Sequence, residues 1–228
     1  MSLSDRLSSV KNTVIECDTA CDVGCDHGFV SIELVKTGVA KRVIACDINK
    51  GPLEAAGRNI SAANLSDRIE TRLGDGLSRV SVADSVESIV IAGMGGSLMA
   101  KILEEGKEVA AKAKQLVLQP QSENFLVRKW LRDNGYTILK EQMLVDMGKY
   151  YVIIDARPGS CIPQDPSMTE LYDTYSEYLI KNKDEVLKAY LEKSVKISSG
   201  YLSGIESGRN GELVAKIELM KRALSLME

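Results

Sequence analysis

Through residues 1–158, short continuous runs of apolar residues alternate with stretches in which apolar positions recur every three or four residues. The first pattern marks buried strands and the second marks helices with one apolar face. Residues 19–23 read as a strand leading into Gly24-Cys25-Asp26-His27-Gly28, and 29–37 as a helix ended by Gly38. Residues 42–47 form the next strand, and 52–63 a helix with Pro52 in its first turn. A strand over 69–73 precedes Gly74-Asp75-Gly76-Leu77. Another over 87–92 precedes Gly93-Met94-Gly95-Gly96-Ser97 and a helix over 98–105. Residues 115–118 form a strand that ends in Gln119-Pro120-Gln121, before a helix over 123–134 closed by Gly135. Residues 136–145 and 149–156 complete an antiparallel hairpin around 146–148.

Strand–helix alternation with near-continuous apolar strands predicts a doubly wound α/β domain, its parallel sheet covered on both faces. The closing hairpin adds an antiparallel strand. Pro158, Gly159, Pro163 and Pro166 then mark a boundary, dividing a sheet domain at 1–160 from a helical segment at 161–228. That segment reads as two helices around a Gly/Ser-rich stretch at 198–211. Leu213, Ile217, Met220, Leu224 and Met227 make a heptad seam in the second helix, and Tyr175, Leu179, Val186 and Tyr190 offer partners in the first. An antiparallel helical hairpin is the natural packing. Tyr172, Tyr175 and Tyr178 are candidate stacking surfaces.

The 228 residues carry the usual globular balance, 44% hydrophobic and 27% charged. No apolar run approaches the roughly 20 residues of a membrane span, and the N-terminus has no signal-peptide core; the expected location is the cytoplasm. The net charge of −3 does not advertise nucleic-acid binding, but only a local positive patch would matter for that. Cys17, Cys21 and Cys25, spaced by four, fit no iron–sulfur or zinc pattern. They are expected on one face of the first strand as core thiols, and no metal is expected.

Every chemically suggestive residue falls just beyond the carboxyl end of a predicted strand, where open α/β sheets bind ligands. Asp22-Val-Gly24-Cys25-Asp26-His27-Gly28 is glycine-rich but places Asp26 where a dinucleotide motif has its second glycine. A carboxylate there opposes a pyrophosphate and suits a cationic ligand such as S-adenosylmethionine. Asp47, 19 residues past Gly28, sits where acidic residues bind ribose hydroxyls; an ordinary helix N-cap is the plain alternative. Asp75 is placed to accept from an adenine amine, or to make a simple turn. Gly93, with Gly95 and Gly96, forms a candidate ligand floor without a Walker lysine. Gln121 and Gln119 flank a proline and offer donors and acceptors suited to a base edge. The candidate cofactor residues are Asp22, Gly24, Cys25, Asp47, Ile48, Asp75, Gly76, Ala92, Gly93 and Met94. The candidate catalytic residues are Asp26, His27 and Gln121.

Taken together, LSDRL at 3–7, DVGCDHG, GPLEAA at 51–56, GDGL, IAGMGGSLM, LVLQPQ and GKYYVI at 148–153 closely resemble the bacterial tRNA (adenine-22-N1)-methyltransferase family, the TrmK type. The resemblance covers about residues 3–156. It implies a class I methyltransferase sheet, S-adenosyl-L-methionine as cofactor, and a tRNA substrate docked across the sheet and helical tail. The chain departs from the family pattern in having Cys25 and Gly28 around Asp26-His27, Asp47 in place of Glu, and Gln121 in place of Asn.

Adenine N1 attacks an activated methyl group without prior deprotonation and becomes cationic, so an anion or acceptor near the exocyclic amine is the useful group. Asp26 is the first candidate and His27, the single histidine, the rival base. Arg6, Lys11, Arg128, Lys129 and Arg132 are candidate phosphate contacts. The alternatives are methylation of another RNA base or a different substrate, a nucleotide-dependent oxidoreductase, and a non-catalytic RNA-binding protein on the same fold. Oligomeric state stays open.

Overall fold

The computed structural model describes residues 3–159, 165–202 and 211–228. Seven strands form one sheet in the order β3-β2-β1-β4-β5-β7-β6. They are β1 (Cys17–Val23), β2 (Ala40–Asp47), β3 (Ile69–Leu73), β4 (Ser88–Gly95), β5 (Gln115–Ser122), β6 (Tyr136–Asp146) and β7 (Lys149–Pro158). β1 to β5 run parallel, while β7 enters antiparallel to β5 and pairs with β6 in the predicted hairpin. Met147 and Gly148, both at positive φ, make its turn.

Neighbouring residues of the central strands go to opposite faces, and both faces are apolar. Ile89 and Ile91 of β4 and Leu116 and Leu118 of β5 join one core cluster; Val90 and Val117 join the other. Helices α1 (Asp5–Thr13), α2 (Phe29–Lys36) and α3 (Lys50–Ala62) cover the second cluster. The first is covered by α4 (Gly96–Glu105), α5 (Lys107–Ala110) and α6 (Asn124–Asp133). The C-terminal helices α7 (Thr169–Tyr175), α8 (Glu177–Lys181), α9 (Glu185–Leu202) and α10 (Gly211–Ser225) extend that layer over β6.

Several elements differ from the sequence expectation. α1 was not predicted; the Ser4 side chain caps it, accepting from the Leu7 N–H at 3.3 Å. β4 and β5 continue past their predicted ends, with Ala92 opposite Gln119, Met94 opposite Pro120 and Gly95 opposite Ser122 across register shifts. Proline fits the strand there because an irregularity has already interrupted the ladder. The helical segment has four helices among the described residues, and α9 runs helically through 198–202, where a break was expected. Cys161, Pro163 and most of that expected break lie outside the described residues. The α10 seam rotates slightly: Ile217, Met220, Ala223 and Met227 are buried, and Leu224 is only partly so. Tyr175 is buried, so it presents no stacking surface.

Cys17, Cys21, Cys25 and Cys46 are free buried thiols, but not on one face. Cys21 belongs to one core cluster, while Cys17 and Cys25 belong to the other. Cys25 lies beyond the end of the strand, so strand alternation does not extend to it, while Cys17 at the strand's start packs with the second cluster.

One buried side chain joins both ends of the sheet domain. Gln115 Oε1 accepts from the Ile15 N–H at 3.0 Å and the Ser88 hydroxyl at 2.6 Å. Its Nε2 donates to Thr13 O at 2.9 Å and Asp155 Oδ1 at 2.8 Å. Such a fully paired amide avoids the penalty of burying polar atoms.

Candidate active site

The carboxyl ends of β1, β2, β3 and β4 stop side by side, and their loops surround a cleft of about 580 Å³. That volume lies within the usual range for small-molecule sites. Asp22, in the last turn of the β1 pleat, is buried and accepts from the Ser31 hydroxyl of α2 at 2.6 Å. Burial pushes its carboxyl up to about 6, against the lowering effect of that hydrogen bond.

Asp47 ends β2 and organises the neighbouring loops. Its Oδ1 accepts from the Asn49 N–H at 2.8 Å and its Oδ2 from the Asp26 N–H at 3.1 Å. Its carbonyl accepts from the Gly74 N–H at 3.0 Å, drawing in the β3 loop. The N-cap alternative is not realised, since Asn49 is the N-cap of α3; Asp47 binds the loop backbone ahead of that cap and faces the cleft. Asp26 has φ of 49° and its side chain is exposed, with Oδ1 3.7 Å from His27 Nε2. His27 is anchored through its carbonyl, which accepts from Asn59 Nδ2 at 2.9 Å.

Gly24 and Cys25 line the cleft on the β1 side, and Ile48 beside Asp47 leaves an apolar side chain 60% exposed. Asp75 and Gly76 come from the β3 loop; Ala92, Gly93 and Met94 come from β4. Gly93 has φ of 81°, a conformation costly for any residue with a Cβ. Gly96 is required for a different reason, because a Cβ there would lie 2.3 Å from the Glu123 carbonyl oxygen. Gln121 lines the cleft from β5. The structure thus brings together every residue singled out as a cofactor or catalytic candidate.

Gln119 does not share this placement. It is buried, with Nε2 donating to Pro120 O at 2.9 Å and Oε1 accepting from Arg6. Arg6 is a cleft residue whose position the predicted loops did not suggest. α1 carries it to the rim, where its guanidinium also lies 5.4 Å from the Tyr151 ring centre. The LSDRL stretch was the available signal. Leu7, Phe29, Asn49 and Leu98 also line the cleft unpredicted.

The proposed phosphate-binding helix needs correction. Arg128 is buried, ion-paired with Glu141 at 2.8 Å, and donates to the Asp173 and Thr174 carbonyls at 2.7 and 3.0 Å. Arg132 pairs with Asp173, and Lys129 with Asp133 at 2.6 Å. Arg128 faces inward because α6 buries that side against β6 and α7, so it is a structural cation.

The donor set of the cleft fits a ligand with positive charge, a ribose and a flat apolar base. Four carboxylates line it, whereas Arg6 is its one guanidinium or ammonium among the described residues. A pyrophosphate would meet repulsion there. Among the described residues, no group of three or more His, Cys, Asp or Glu side chains is arranged to hold a metal. Likewise, no described helix is long and apolar enough to cross a membrane.

Strand order and cleft together define a class I methyltransferase. The family described as methyltransferase domain matches residues 3–154. The Bacillus subtilis (strain 168) tRNA (adenine(22)-N(1))-methyltransferase is 34% identical over 159 residues, covering 70% of this chain and 66% of the relative. The crystal structure of the B. subtilis M1A22 tRNA methyltransferase TrmK superposes with TM-score 0.85 at 28% identity, over 98% of this chain and 99% of that one. Streptococcus pneumoniae Sp1610, solved in complex with S-adenosyl-L-methionine, gives TM-score 0.87 at 34% identity over 98% and 100% of the two chains. The chain belongs to the methyltransferase-domain family, among the tRNA (adenine-22-N1)-methyltransferases.

Proposed function

We propose that this protein transfers a methyl group from S-adenosyl-L-methionine to N1 of an adenine in tRNA, adenine-22 by its relatives. The observation that carries the reading is the acidic strand-end cleft, which opens at Gln121 on the side away from Asp47's strand. Residues 1–160 would carry the cofactor and 161–228 help dock the RNA. A tRNA substrate supports a cytoplasmic location.

In this reading, Asp47 holds the ribose hydroxyls, Asp75 the adenine amine of the cofactor, and Asp22 the ammonium end. Ile48 covers one face of the cofactor's base. Gly24, Cys25, Gly76, Ala92, Gly93 and Met94 shape the floor and walls. Bound there, S-adenosyl-L-methionine supplies a methyl group already activated by its sulfonium. As the N1–carbon bond forms and the carbon–sulfur bond breaks, positive charge grows on the acceptor ring. Asp26 accepts a hydrogen bond from the acceptor amine and stabilises that charge. Gln121 orients the base edge, and His27 supports Asp26 or serves as the alternative base. Alignment of N1 with the methyl group supplies much of the rate.

The test is methylation of unmodified bulk tRNA with radiolabelled cofactor, followed by mapping. A single N1-methyladenosine at position 22 is expected. Methyl groups on another base, or none on tRNA, overturn the reading.

A further inference from the structure

A second cavity, of about 370 Å³, adjoins the cofactor cleft, and Gln121 lines both. It opens from the end of β5 and the start of α6, and its far wall comes from α9 and α10 through Leu187, Tyr190 and Lys216. The C-terminal helices therefore complete a compartment that adjoins the cleft at Gln121.

Its chemistry is selective. Asn124, the first residue of α6, lines the cavity, and its side-chain oxygen is buried without a hydrogen-bond partner. A buried acceptor left unpaired costs free energy, so a donor in the cavity recovers that cost once the Asn124 side chain turns its oxygen toward it. The surrounding walls are aromatic. Tyr150 and Tyr190 meet edge to face at 5.1 Å, and Phe125 is 45% exposed. Flat rings with a single N–H donor group suit such a setting, because a purine face packs on aromatic edges. Exposed Lys216 lines the cavity, and Lys193 lies 6.0 Å from the Tyr150 ring centre. Both cations come from the C-terminal helices, where they are placed to meet a phosphate backbone.

We propose that this cavity receives the acceptor adenine, turned out of its RNA, with its amine donating to Asn124 Oδ1 and its N1 edge facing the cofactor cleft past Gln121. The assignment rests on the reading of the chain as an RNA adenine N1-methyltransferase. It gives the C-terminal helices a role in substrate selection: they form one wall of the base pocket and supply charge for the flanking phosphates. The amine carries two N–H bonds, so Asn124 and Asp26 do not compete for the same one.

The experiment compares the full chain with Asn124→Ala and Asn124→Asp. The substrates are tRNA containing the acceptor adenosine and tRNA assembled with purine riboside, which lacks the amine, at that position. The unmutated enzyme is expected to prefer the adenosine tRNA by about tenfold or more in kcat/KM, the scale of one hydrogen bond to a buried partner. Asn124→Ala should cut that preference by about tenfold, leaving the part supplied by Asp26 and by the amine's own effect on N1, while keeping its affinity for S-adenosylhomocysteine and its unfolding midpoint. Asn124→Asp retains an acceptor oxygen and should retain the preference. If the unmutated enzyme methylates adenosine tRNA but Asn124→Ala discriminates equally well, the pocket assignment is overturned. If the unmutated enzyme methylates no tRNA adenine, the functional reading fails instead.

Discussion

Asp22 is a carboxylate in a buried position, and the direction of its titration has two opposite consequences. Burial favours its neutral form, so its folded value of about 6 lies above the ordinary aspartate value. Between those values the folded chain binds more protons than the unfolded chain. Stability from this group therefore falls as pH rises through that window. If Asp22 holds the cofactor's ammonium group as proposed, cofactor binding runs the other way, because an ammonium group needs the ionised carboxylate. Affinity for S-adenosylhomocysteine, followed by calorimetry, is expected to decline below about pH 6, and Asp22→Asn should remove that slope; an equal slope in both proteins would exclude Asp22 as the ammonium partner. Asp26 gives a separable prediction. Asp26→Asn keeps the shape and removes the charge, so kcat should fall about 10²-fold with little change in cofactor affinity. Lost affinity with an unchanged single-turnover rate would make Asp26 a cofactor ligand. The cleft residues were legible because glycines and carboxylates clustered after apolar runs. Arg128 was not, since its partners Glu141 and Asp173 are 13 and 45 residues away.

At the level of elements, the same arginine fastens α6 to β6 and α7. Arg128 and Glu141 are both buried, and Glu141 Oε2 has no partner. Removing only the cation strands a buried carboxylate. Arg128→Met should cost about 3–5 kcal/mol in urea unfolding, and adding Glu141→Leu should recover much of the loss. Additive losses in the double variant would show that the pair is not coupled. The central strands were readable from their apolar runs, and β3 was found at its observed bounds, Ile69–Leu73. The extensions of β4 and β5 were hidden by Gly93, Gly95 and Pro120, residues that usually end strands. α1 was missed because its polar sequence buries only Val10 and its stability comes from docking.

At the scale of the whole molecule, helices follow the proline-rich stretch, and the sequence pattern did not suggest how closely they share the sheet's core. Leu171, Leu179, Leu187 and Ile217 lie in the same apolar cluster as Ile89 and Leu116. If the exposed lysines of this layer meet RNA, tRNA affinity should fall steeply between low and physiological salt as counterions are released. Salt-independent binding would rule out phosphate contacts there. The Gln115 junction and α1 also set an order of events during synthesis. The α1 segment leaves the ribosome early, yet its anchors come late: Arg6 N–H donates to Asp146 across a separation of 140 residues, and Thr13 and Ile15 dock on Gln115, itself held by Asp155. Contacts so distant along the chain cannot form until both partners have been made. Nascent chains stalled before Asp146 emerges should therefore leave α1 amides open to hydrogen exchange, and chains that have released Asp155 should protect them. A helix made before the sheet would then settle after most of it, so Arg6 would reach the cleft only once nearly all of the sheet had been made.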